Sequence, residues 1–312
     1  MIEIRGLTKR YGKLTAIDNL DLEIGAGELF GFIGPNGAGK STTMKILACL
    51  LRPDSGSAKV GGFDVKTSGP EIRAMLGYMP DFLGVYEDLT VDEYLQFFAA
   101  AFDIPRARRS ALIGEVLELT DLTAKRRAMV SGLSRGMQQR LGVARVLIHD
   151  PKVLLLDEPA SGLDPRARIE MRALLTELRQ MGKTLMVSSH ILTELGEMST
   201  SIGIIERGQL IYSGSLEEAL RRATTGERID IRLETEGAQA PAVAAALAAD
   251  ERVGTAETDE KGVIRIETKA VDGGHHWVIE RVISAGGRIA AFEPKGVKLE
   301  DAFLKLTKGA VQ

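Results

Sequence analysis

The most informative part of the sequence is Gly34-Pro35-Asn36-Gly37-Ala38-Gly39-Lys40-Ser41, which fits the pattern G-x-x-x-x-G-K-[ST]. It follows a short apolar run, Leu29 to Ile33, of the kind found in buried strands. It leads into Lys40 to Leu51, where apolar residues recur at helical spacing. A glycine-rich loop in this position lets backbone N–H groups converge on phosphate oxygens at the positive end of a helix. The sequence therefore predicts a loop that binds a nucleoside triphosphate.

The polar groups of this loop have separate predicted tasks. Lys40 is expected to reach the β- and γ-phosphates, and the Ser41 hydroxyl to ligate Mg²⁺. The alternative is an accidental glycine-rich turn, which the flanking strand and helix disfavour. The residues of the loop predicted to contact the nucleotide are Gly34, Asn36, Gly37, Ala38, Gly39, Lys40 and Ser41.

Length and charge set limits on the rest of the chain. Its 312 residues, 44% of them hydrophobic, suit about two domains with ordinary buried cores. The net charge is −3, with both signs spread along the chain, and only 5% of residues are aromatic. These values offer neither the basic field nor the stacking surface that nucleic-acid binding uses, so no nucleic-acid partner is expected. No apolar run approaches the length of a membrane span, so any role at a membrane is expected to come through a partner.

The first predicted domain, residues 1–222, has an α/β core. Two apolar runs, Val153 to Leu156 and Thr184 to Ser188, are separated by a helical pattern from Arg166 to Met181. This order is typical of a parallel sheet covered by helices. Alternating residues ahead of the phosphate loop predict a small antiparallel sheet as well.

A helical subdomain of about residues 85–150 is predicted to interrupt that core. It opens with a capping box, Thr90 to Glu93. Tyr94, Phe97, Phe98 and Ala101 are then predicted to form the apolar face of the first helix.

The second predicted domain, residues 226–312, is a smaller α+β unit. Its pattern reads β-α-β-β-α-β, the order of a ferredoxin-like fold, and Leu299 to Leu306 predicts one more helix. His275 and His276 are adjacent and have no Cys or further His in support, so no metal site is predicted there. Because the segment shows no clustered nucleophile, base or metal ligands, we expect it to regulate or to hold a dimer.

Two acids, Asp157 and Glu158, follow directly on the apolar run that ends at Leu156. Ligand sites of parallel sheets form at such carboxyl ends. Asp157 is expected to hold Mg²⁺ through water, and Glu158 to act as general base on the attacking water. A helix cap or a surface pair is the alternative for acids at a strand end, and the phosphate loop upstream favours the catalytic interpretation.

The segment Leu133 to Arg140 predicts the start of another helix, with Ser134 as its N-cap. Exposed N–H groups at a helix start can form a second anion site. Taken alone, the segment fits equally a well-capped surface helix.

Together these motifs resemble the nucleotide-binding subunit of an ATP-binding cassette (ABC) transporter. The phosphate loop, the helix start at Leu133 to Arg140, the acids, Ser161 to Asp164 and Ser189-His190 follow that family's order over residues 1 to about 222. The resemblance implies a P-loop NTPase cassette that hydrolyses ATP and drives export through a separate transmembrane permease. It also implies a head-to-tail dimer, of identical or paired cassettes, in which Ser134 and Gly136 touch the partner's γ-phosphate. A shorter match, Lys298 to Leu306, resembles the tail of type-two exporters.

The same resemblance assigns further roles residue by residue. Tyr11 would stack on adenine, although an ordinary strand-end tyrosine fits equally well. Thr42 would add a phosphate contact, and His190 would sense the γ-phosphate and steady the water. Asp164 would couple the two sites of the dimer. The implied location is cytoplasmic, peripheral on the inner face of the cell membrane through the permease.

The chain departs from the family pattern at two places. Asp81 stands where the family has Gln, and a carboxylate there could ligate Mg²⁺ or raise the pKa of a neighbouring carboxyl group. In the helix start, Arg135 and Met137 replace Gly and Gln. Arg135 could add a cation near the phosphate, or be a solvated side chain, which we favour.

Two other function classes compete with transport. One is a soluble cassette ATPase that acts on DNA or ribosomes, and such proteins usually carry a coiled-coil insertion or two fused cassettes, neither of which this sequence contains. The other is a catalytically silent interaction module, disfavoured because Lys40, Asp157, Glu158 and His190 are all present.

Overall fold

The computed structural model describes the chain apart from residues 83, 85, 87, 192–194, 196–197, 219–227, 235–238, 260–261, 270–273 and 296–312. The chain divides into two compact units, Met1–Leu216 and Glu217–Gln312. The boundary predicted between residues 222 and 226, the predicted helix at Leu299 to Leu306 and the tail motif all lie outside the described residues.

The first unit begins with an antiparallel sheet, as the alternating pattern predicts. Its strands lie in the order β2-β1-β4-β5 and pair antiparallel throughout. The inward positions of β1 and β2 are fully buried, which accounts for the period of two in the sequence. The strands are β1 (Ile2–Tyr11), β2 (Leu14–Ile24), β4 (Ser55–Val60) and β5 (Phe63–Asp64).

The central sheet of the first unit has six strands in the order β10-β9-β3-β8-β7-β6. The neighbours from β9 to β6 are parallel, and only β10 runs antiparallel, against β9. The middle strands β3, β7 and β8 are buried along their whole length, as their continuous apolar runs predict. The strands are β3 (Leu29–Ile33), β6 (Leu76–Met79), β7 (Val153–Leu156), β8 (Thr184–Ser189), β9 (Ser201–Glu206) and β10 (Gln209–Gly214).

Six α-helices of the first unit lie wholly within the described residues. They are α1 (Lys40–Leu47), α2 (Gly69–Met75), α3 (Val91–Ala101), α4 (Arg106–Leu119), α5 (Arg135–Leu147) and α6 (Pro165–Gln180). Helix α1 ends earlier than the predicted Leu51, because Cys49 adopts a left-handed φ of 57°. The buried Met44 and Leu47 of α1 share one core with Leu155 of β7 and Met186 of β8. That shared core fixes α1, and the loop before it, against the sheet.

Helix α3 confirms the predicted cap and corrects the predicted face. Thr90 Oγ1 accepts from the Glu93 N–H while Glu93 Oε2 accepts from the Thr90 N–H, which completes the capping box. The buried side chains of the helix are Val91, Tyr94, Leu95 and Ala99. Phe97 and Ala101, predicted on the apolar face, are exposed instead. The helix is rotated so that Leu95 and Ala99 pack inward, and the ring of Phe97 packs on Tyr86 at the surface.

The second unit has the predicted ferredoxin-like topology. Its four strands lie in the order β12-β13-β11-β14, all antiparallel, and α7 and α8 connect β11 to β12 and β13 to β14. Its core is separate from that of the first unit and includes Ile231, Val243 and Trp277. The elements are β11 (Arg228–Leu233), α7 (Ala240–Ala248), β12 (Val253–Thr258), β13 (Ile264–Thr268), α8 (His276–Ser284) and β14 (Ile289–Lys295).

The second core should depend on Ile231, whose side chain is fully buried at 0% exposure. We expect Ile231→Ala to lower the free energy of unfolding of the second unit by about 2–5 kcal/mol, because the truncation leaves a cavity. Ile283 on α8 is the matched control, since it is 62% exposed and its truncation should change that free energy by less than about 0.5 kcal/mol. Calorimetric unfolding of the full chain measures both changes. Equal effects of the two substitutions would contradict the buried register of β11.

Candidate active site

Three loops converge at the carboxyl edge of the central sheet. They follow β3, β7 and β8, and these strands are direct neighbours with β8 in the middle. Parallel strands end at the same edge, so the phosphate loop, the two acids and His190 are brought to one place. The backbone joins the loops there, because the N–H of Gly34 donates to the carbonyl of Ser189 at 3.3 Å.

The phosphate loop closes tightly over the start of α1. Gly39 has a φ of 112°, and a Cβ there would lie 2.5 Å from the carbonyl oxygen of Ala16, so the position requires glycine. The N–H of Ala38 donates to the Pro35 carbonyl at 3.1 Å. Gly34, Ala38 and Gly39 are buried, Asn36 and Gly37 are exposed, and Ser41 and Thr42 are half-buried. The loop therefore presents its outer backbone to solvent and anchors its base in the core.

Lys40 folds back into its own loop. It is only 5% exposed, and its Nζ donates to the carbonyls of Gly34 at 2.6 Å and Pro35 at 3.3 Å. The same ammonium lies 3.2 Å from Oε1 of Glu158. That distance makes an ion pair, but Oε1 has no hydrogen-bond partner among the described residues. Lys40 thus holds the carboxylate by charge and leaves one buried oxygen able to accept from a further donor.

A chain of hydrogen bonds joins the two acids to the neighbouring strand. Ser188 Oγ donates to Asp157 Oδ1 at 2.6 Å and accepts from the Glu158 N–H at 2.9 Å. Nδ1 of His190 lies 2.8 Å from the other Glu158 oxygen, Oε2. Asp157 and Glu158 are buried, whereas the His190 side chain is 40% exposed. The Glu158 carboxylate therefore contacts Lys40 through Oε1 and His190 through Oε2.

The backbone of Glu158 is itself unusual. Its φ is +51°, in the left-handed region that residues other than glycine and asparagine seldom adopt. Strain of this kind costs about 1–3 kcal/mol and persists only where the surroundings impose it. The hydrogen bond that the Glu158 N–H donates to Ser188 Oγ, together with the side-chain partners Lys40 and His190, imposes it here. The strained conformation aims the carboxylate at Lys40.

Asp81 lies in the electrostatic field of the same cluster. Partial burial, followed by the charges of Asp157 and Glu158, raises the pKa of the Asp81 carboxyl, while the charges of Arg135 and His190 oppose that rise. Burial and the charges of Asp157 and Asp81 also raise the pKa of the Tyr78 hydroxyl. Negative charge is therefore concentrated at this edge of the sheet.

This donor set fits a divalent cation. The carboxylates of Asp81 and Asp157 repel each other, and a hard cation would relieve that repulsion. Ser41 adds a half-buried hydroxyl at the start of α1. The part of the chain that the structure describes has no group of three or more acid, His or Cys side chains that could hold a metal. Two carboxylates and one hydroxyl suit a hard cation that takes few protein ligands and completes its coordination with phosphate oxygens and water, as Mg²⁺ does.

Four residues predicted for the site lie on other elements. Tyr11 ends β1 and is 47% exposed. Ser134 caps α5 by accepting from the Met137 N–H at 3.4 Å, and Gly136 lies in the first turn of that helix. Asp164 caps α6 by accepting from the Ala167 N–H at 2.9 Å. Within the described part of the chain, no hydrogen bond or ion pair joins these four to Lys40 or Glu158.

Sequence reasoning missed Ser188 and Tyr78. Ser188 connects both acids to β8, and two consecutive serines at the end of an apolar strand were the available signal. The Tyr78 hydroxyl is buried without a hydrogen-bond partner among the described residues. Tyr78 lies on β6 and pairs with Leu155 of β7, the strand that leads into the two acids. No feature of the sequence indicated this pairing.

Comparisons with known proteins show which family this chain resembles. The ABC transporter family pattern matches residues 17–161. The probable multidrug ABC transporter ATP-binding protein YbhF of Escherichia coli (strain K12) is 37% identical over 234 residues, which are 75% of this chain and 40% of YbhF. The daunorubicin resistance ATP-binding protein DrrA3 of Streptomyces coeruleorubidus is 33% identical over 304 residues, 97% of this chain and 92% of DrrA3. The dimeric structure of MJ0796, a bacterial ABC transporter cassette, aligns with a TM-score of 0.63 and 26% identity over 69% of this chain and 99% of that chain.

The chain belongs to the ABC transporter family, as one of its ATP-binding proteins. The predicted resemblance and the predicted cassette fold are confirmed, and the first unit is the family's P-loop ATPase cassette. The chain spans 40% of the length of YbhF. Within the described residues, the longest apolar helices fall short of what a membrane crossing needs.

The raised pKa of Asp81 predicts a pH-dependent stability. A carboxyl group whose pKa is higher in the folded chain stabilises that chain while protonated, and this contribution is lost as the pH rises through the raised value. We therefore expect Asp81→Asn to raise the melting temperature without nucleotide or Mg²⁺ at neutral pH, by no more than about 1–2 °C because the Asp81 side chain is exposed. The gain should shrink as the pH falls towards the ordinary range of an aspartate.

Thermal unfolding between pH 5 and pH 8 measures this difference. Asp103→Asn is the matched control, because Asp103 is exposed and its left-handed φ of 55° suits asparagine equally well. A pH-independent gain, or the same gain in the control, would contradict the crowding of charge around Asp81.

Proposed function

We propose that this protein binds and hydrolyses MgATP and thereby drives export through a separate transmembrane permease. The observation that carries the proposal is the buried contact of Lys40 with Glu158, held together with Asp157, Ser188 and His190 at the sheet edge. Phosphoryl transfer to water needs groups that bind the phosphates and groups that orient the attacking water. The phosphate loop can do the first, and the neighbouring carboxylate and histidine the second. YbhF and DrrA3 are named for multidrug transport and daunorubicin resistance, which supports export over import.

Nucleotide binding is assigned to the phosphate loop and its neighbours. Backbone N–H groups of the loop residues Gly34, Asn36, Gly37, Ala38 and Gly39 surround the phosphates, Lys40 exchanges its carbonyl partners for phosphate oxygens, and Thr42 adds a contact. The half-exposed Tyr11 ring stacks on the base. Ser41, Asp157 and Asp81 hold Mg²⁺, directly or through water.

Hydrolysis is assigned to Glu158 and His190. When Lys40 turns to the phosphates, Glu158 is left with a free, buried oxygen that accepts the proton of the attacking water. His190, at 2.8 Å from the second oxygen, fixes the orientation of that carboxylate. When bound, Mg²⁺ supplies neutralisation of the charge on the phosphate oxygens.

The dimer and the permease are the remaining partners. Ser134 and Gly136 start α5 and Asp164 starts α6, and within the described part of the chain none of them bonds to the Lys40 cluster. We infer that they complete the site of a second cassette, identical or paired, in a head-to-tail dimer. The MJ0796 cassette is a dimer in its solved structure, which supports this arrangement. The subunit then lies on the cytoplasmic face of the membrane, attached to its permease.

The first test replaces the proposed base. We expect Glu158→Gln to retain ATP binding and to lower turnover by about 10²-fold or more, because it removes the base and keeps the size of the side chain. Dimers should accumulate with ATP. ATPase assays, nucleotide titration and size-exclusion chromatography measure the three effects.

The matched control is Glu177→Gln on the outer side of α6, which should hydrolyse ATP like the parent chain. Near-normal hydrolysis in Glu158→Gln would remove Glu158 from the role of base. Stimulation of the parent ATPase by DNA or ribosomes, but not by a membrane permease, would favour a soluble cassette ATPase instead.

The second test concerns Asp81 as a metal contact. We expect Asp81→Asn to raise the Mg²⁺ concentration for half-maximal ATPase rate about tenfold, because an amide is a weaker partner for a hard cation. Asp81→Gln, which restores the residue that the family pattern has here, should recover part of the affinity. ATPase rate against Mg²⁺ concentration measures both variants. An unchanged Mg²⁺ dependence in both would leave Asp81 without a role at the metal.

A further inference from the structure

We propose that Arg135 is a positioning residue for hydrolysis, which holds the loop from Glu158 to Asp164 of its own chain by packing on Gly162. This loop is called the acidic loop below. The inference rests on the proposed ATPase function and adds a residue to it. It concerns a side chain that departs from the family pattern, and a contact made within one subunit.

The contact itself is close and specific. A Cβ placed on Gly162 would lie 2.3 Å from Cζ of Arg135 and 2.5 and 2.6 Å from its two terminal nitrogens. The three atoms are almost equally distant, so the guanidinium group faces the glycine across its whole plane. Gly162 has a φ of +67°, which also suits glycine. Any other residue at position 162 would displace the arginine.

The starts of α5 and α6 are fastened together around this contact. A Cβ on Gly136 would approach the Cβ of Ala167 to 3.0 Å, which leaves no space between the two first turns. One turn further along, the buried Arg140 lies 3.7 Å from the carboxylate of Glu170 on α6. Because both helices are held side by side, the base of the Arg135 side chain has a fixed position relative to the acidic loop.

The position of Arg135 is unfavourable for an isolated helix. It is the first residue of α5, at the positive end of the helix dipole, and the first turn contains no acid. The Arg135 side chain is exposed, as predicted, and its guanidinium group lies against Gly162 of the acidic loop.

The acidic loop is short and internally hydrogen-bonded, so a displacement of Gly162 would also move Glu158. The N–H of Ser161 donates to the Glu158 carbonyl at 3.0 Å, and the N–H of Leu163 donates to the Ala160 carbonyl at 3.3 Å. Glu158 has the left-handed φ of +51°, so a shift of the loop would release that strain first. Holding Gly162 thus helps to keep the Glu158 carboxylate aimed at the phosphate loop.

The test is a double-mutant cycle on full-length protein with Arg135→Ala, Gly162→Ala and the double variant. We measure kcat and KM for MgATP, and the melting temperature without nucleotide. We expect Arg135→Ala to lower kcat about tenfold or more with KM within about twofold, since a small misplacement of a catalytic group affects turnover more than binding. Gly162→Ala should lower kcat as well, because its methyl group displaces the guanidinium.

The decisive comparison is the double variant. We expect its kcat to equal that of Gly162→Ala alone, because the arginine is already displaced there, and the backbone strain of alanine is present in both. Arg166→Ala, which removes an arginine 90% exposed on the first turn of α6, should hydrolyse ATP like the parent chain.

Each other outcome contradicts one part of the proposal. If the parent chain is active and the losses of kcat in Arg135→Ala and Gly162→Ala add up in the double variant, Arg135 has no positioning role through Gly162. A rise in KM with kcat unchanged would also contradict that role, and would assign Arg135 to a phosphate of the partner-bound nucleotide. Coupling in melting temperature without coupling in kcat would reduce the contact to a structural one. A parent chain without MgATPase activity would overturn the proposed function and this inference together.

Discussion

The buried ion pair between Lys40 and Glu158 is the interaction on which the site depends. Two charges taken out of water are stable only when they are paired and when hydrogen bonds satisfy the rest of each group. Lys40 meets this condition through two carbonyls of its own loop, and Glu158 through His190. The pair joins the loop after β3 to the loop after β7. A phosphate that drew Lys40 away would leave Glu158 free for water, so substrate binding and base activation are linked by one contact.

The central sheet makes that contact possible. The strands β3, β8 and β7 are neighbours in parallel, with α1 packed on them through a shared apolar core. Burial of whole strands fixes their register, because a slip would expose apolar side chains. Ser188 then ties both acids to the central strand of the three. The geometry of the site is thus set by the packing of the sheet, and the strained backbone of Glu158 is held by the contacts of Glu158 with Ser188, Lys40 and His190.

The acids at this edge carry more negative charge than the family pattern requires, since Asp81 replaces a neutral amide. Burial and the charges of Asp157 and Glu158 raise its pKa, and Arg135 opposes that rise. The two departures from the family pattern therefore act on each other through the field of the site. The second unit has its own core and ferredoxin-like sheet, and none of the residues proposed for catalysis belongs to it.

Much of this protein was determined by its sequence alone. The phosphate loop, the buried strands, the capping box of α3, the α/β arrangement of the first unit and the α+β arrangement of the second follow from local spacing and from burial patterns, and the structure has them. The exposed face of α3, the bridge through Ser188, the pairing of Lys40 with Glu158 and the approach of Arg135 to Gly162 required the tertiary structure. The reason is physical. Helix and strand patterns depend on residues a few positions apart, whereas these contacts join segments separated by tens to more than a hundred residues, and only the packed sheet fixes their distances.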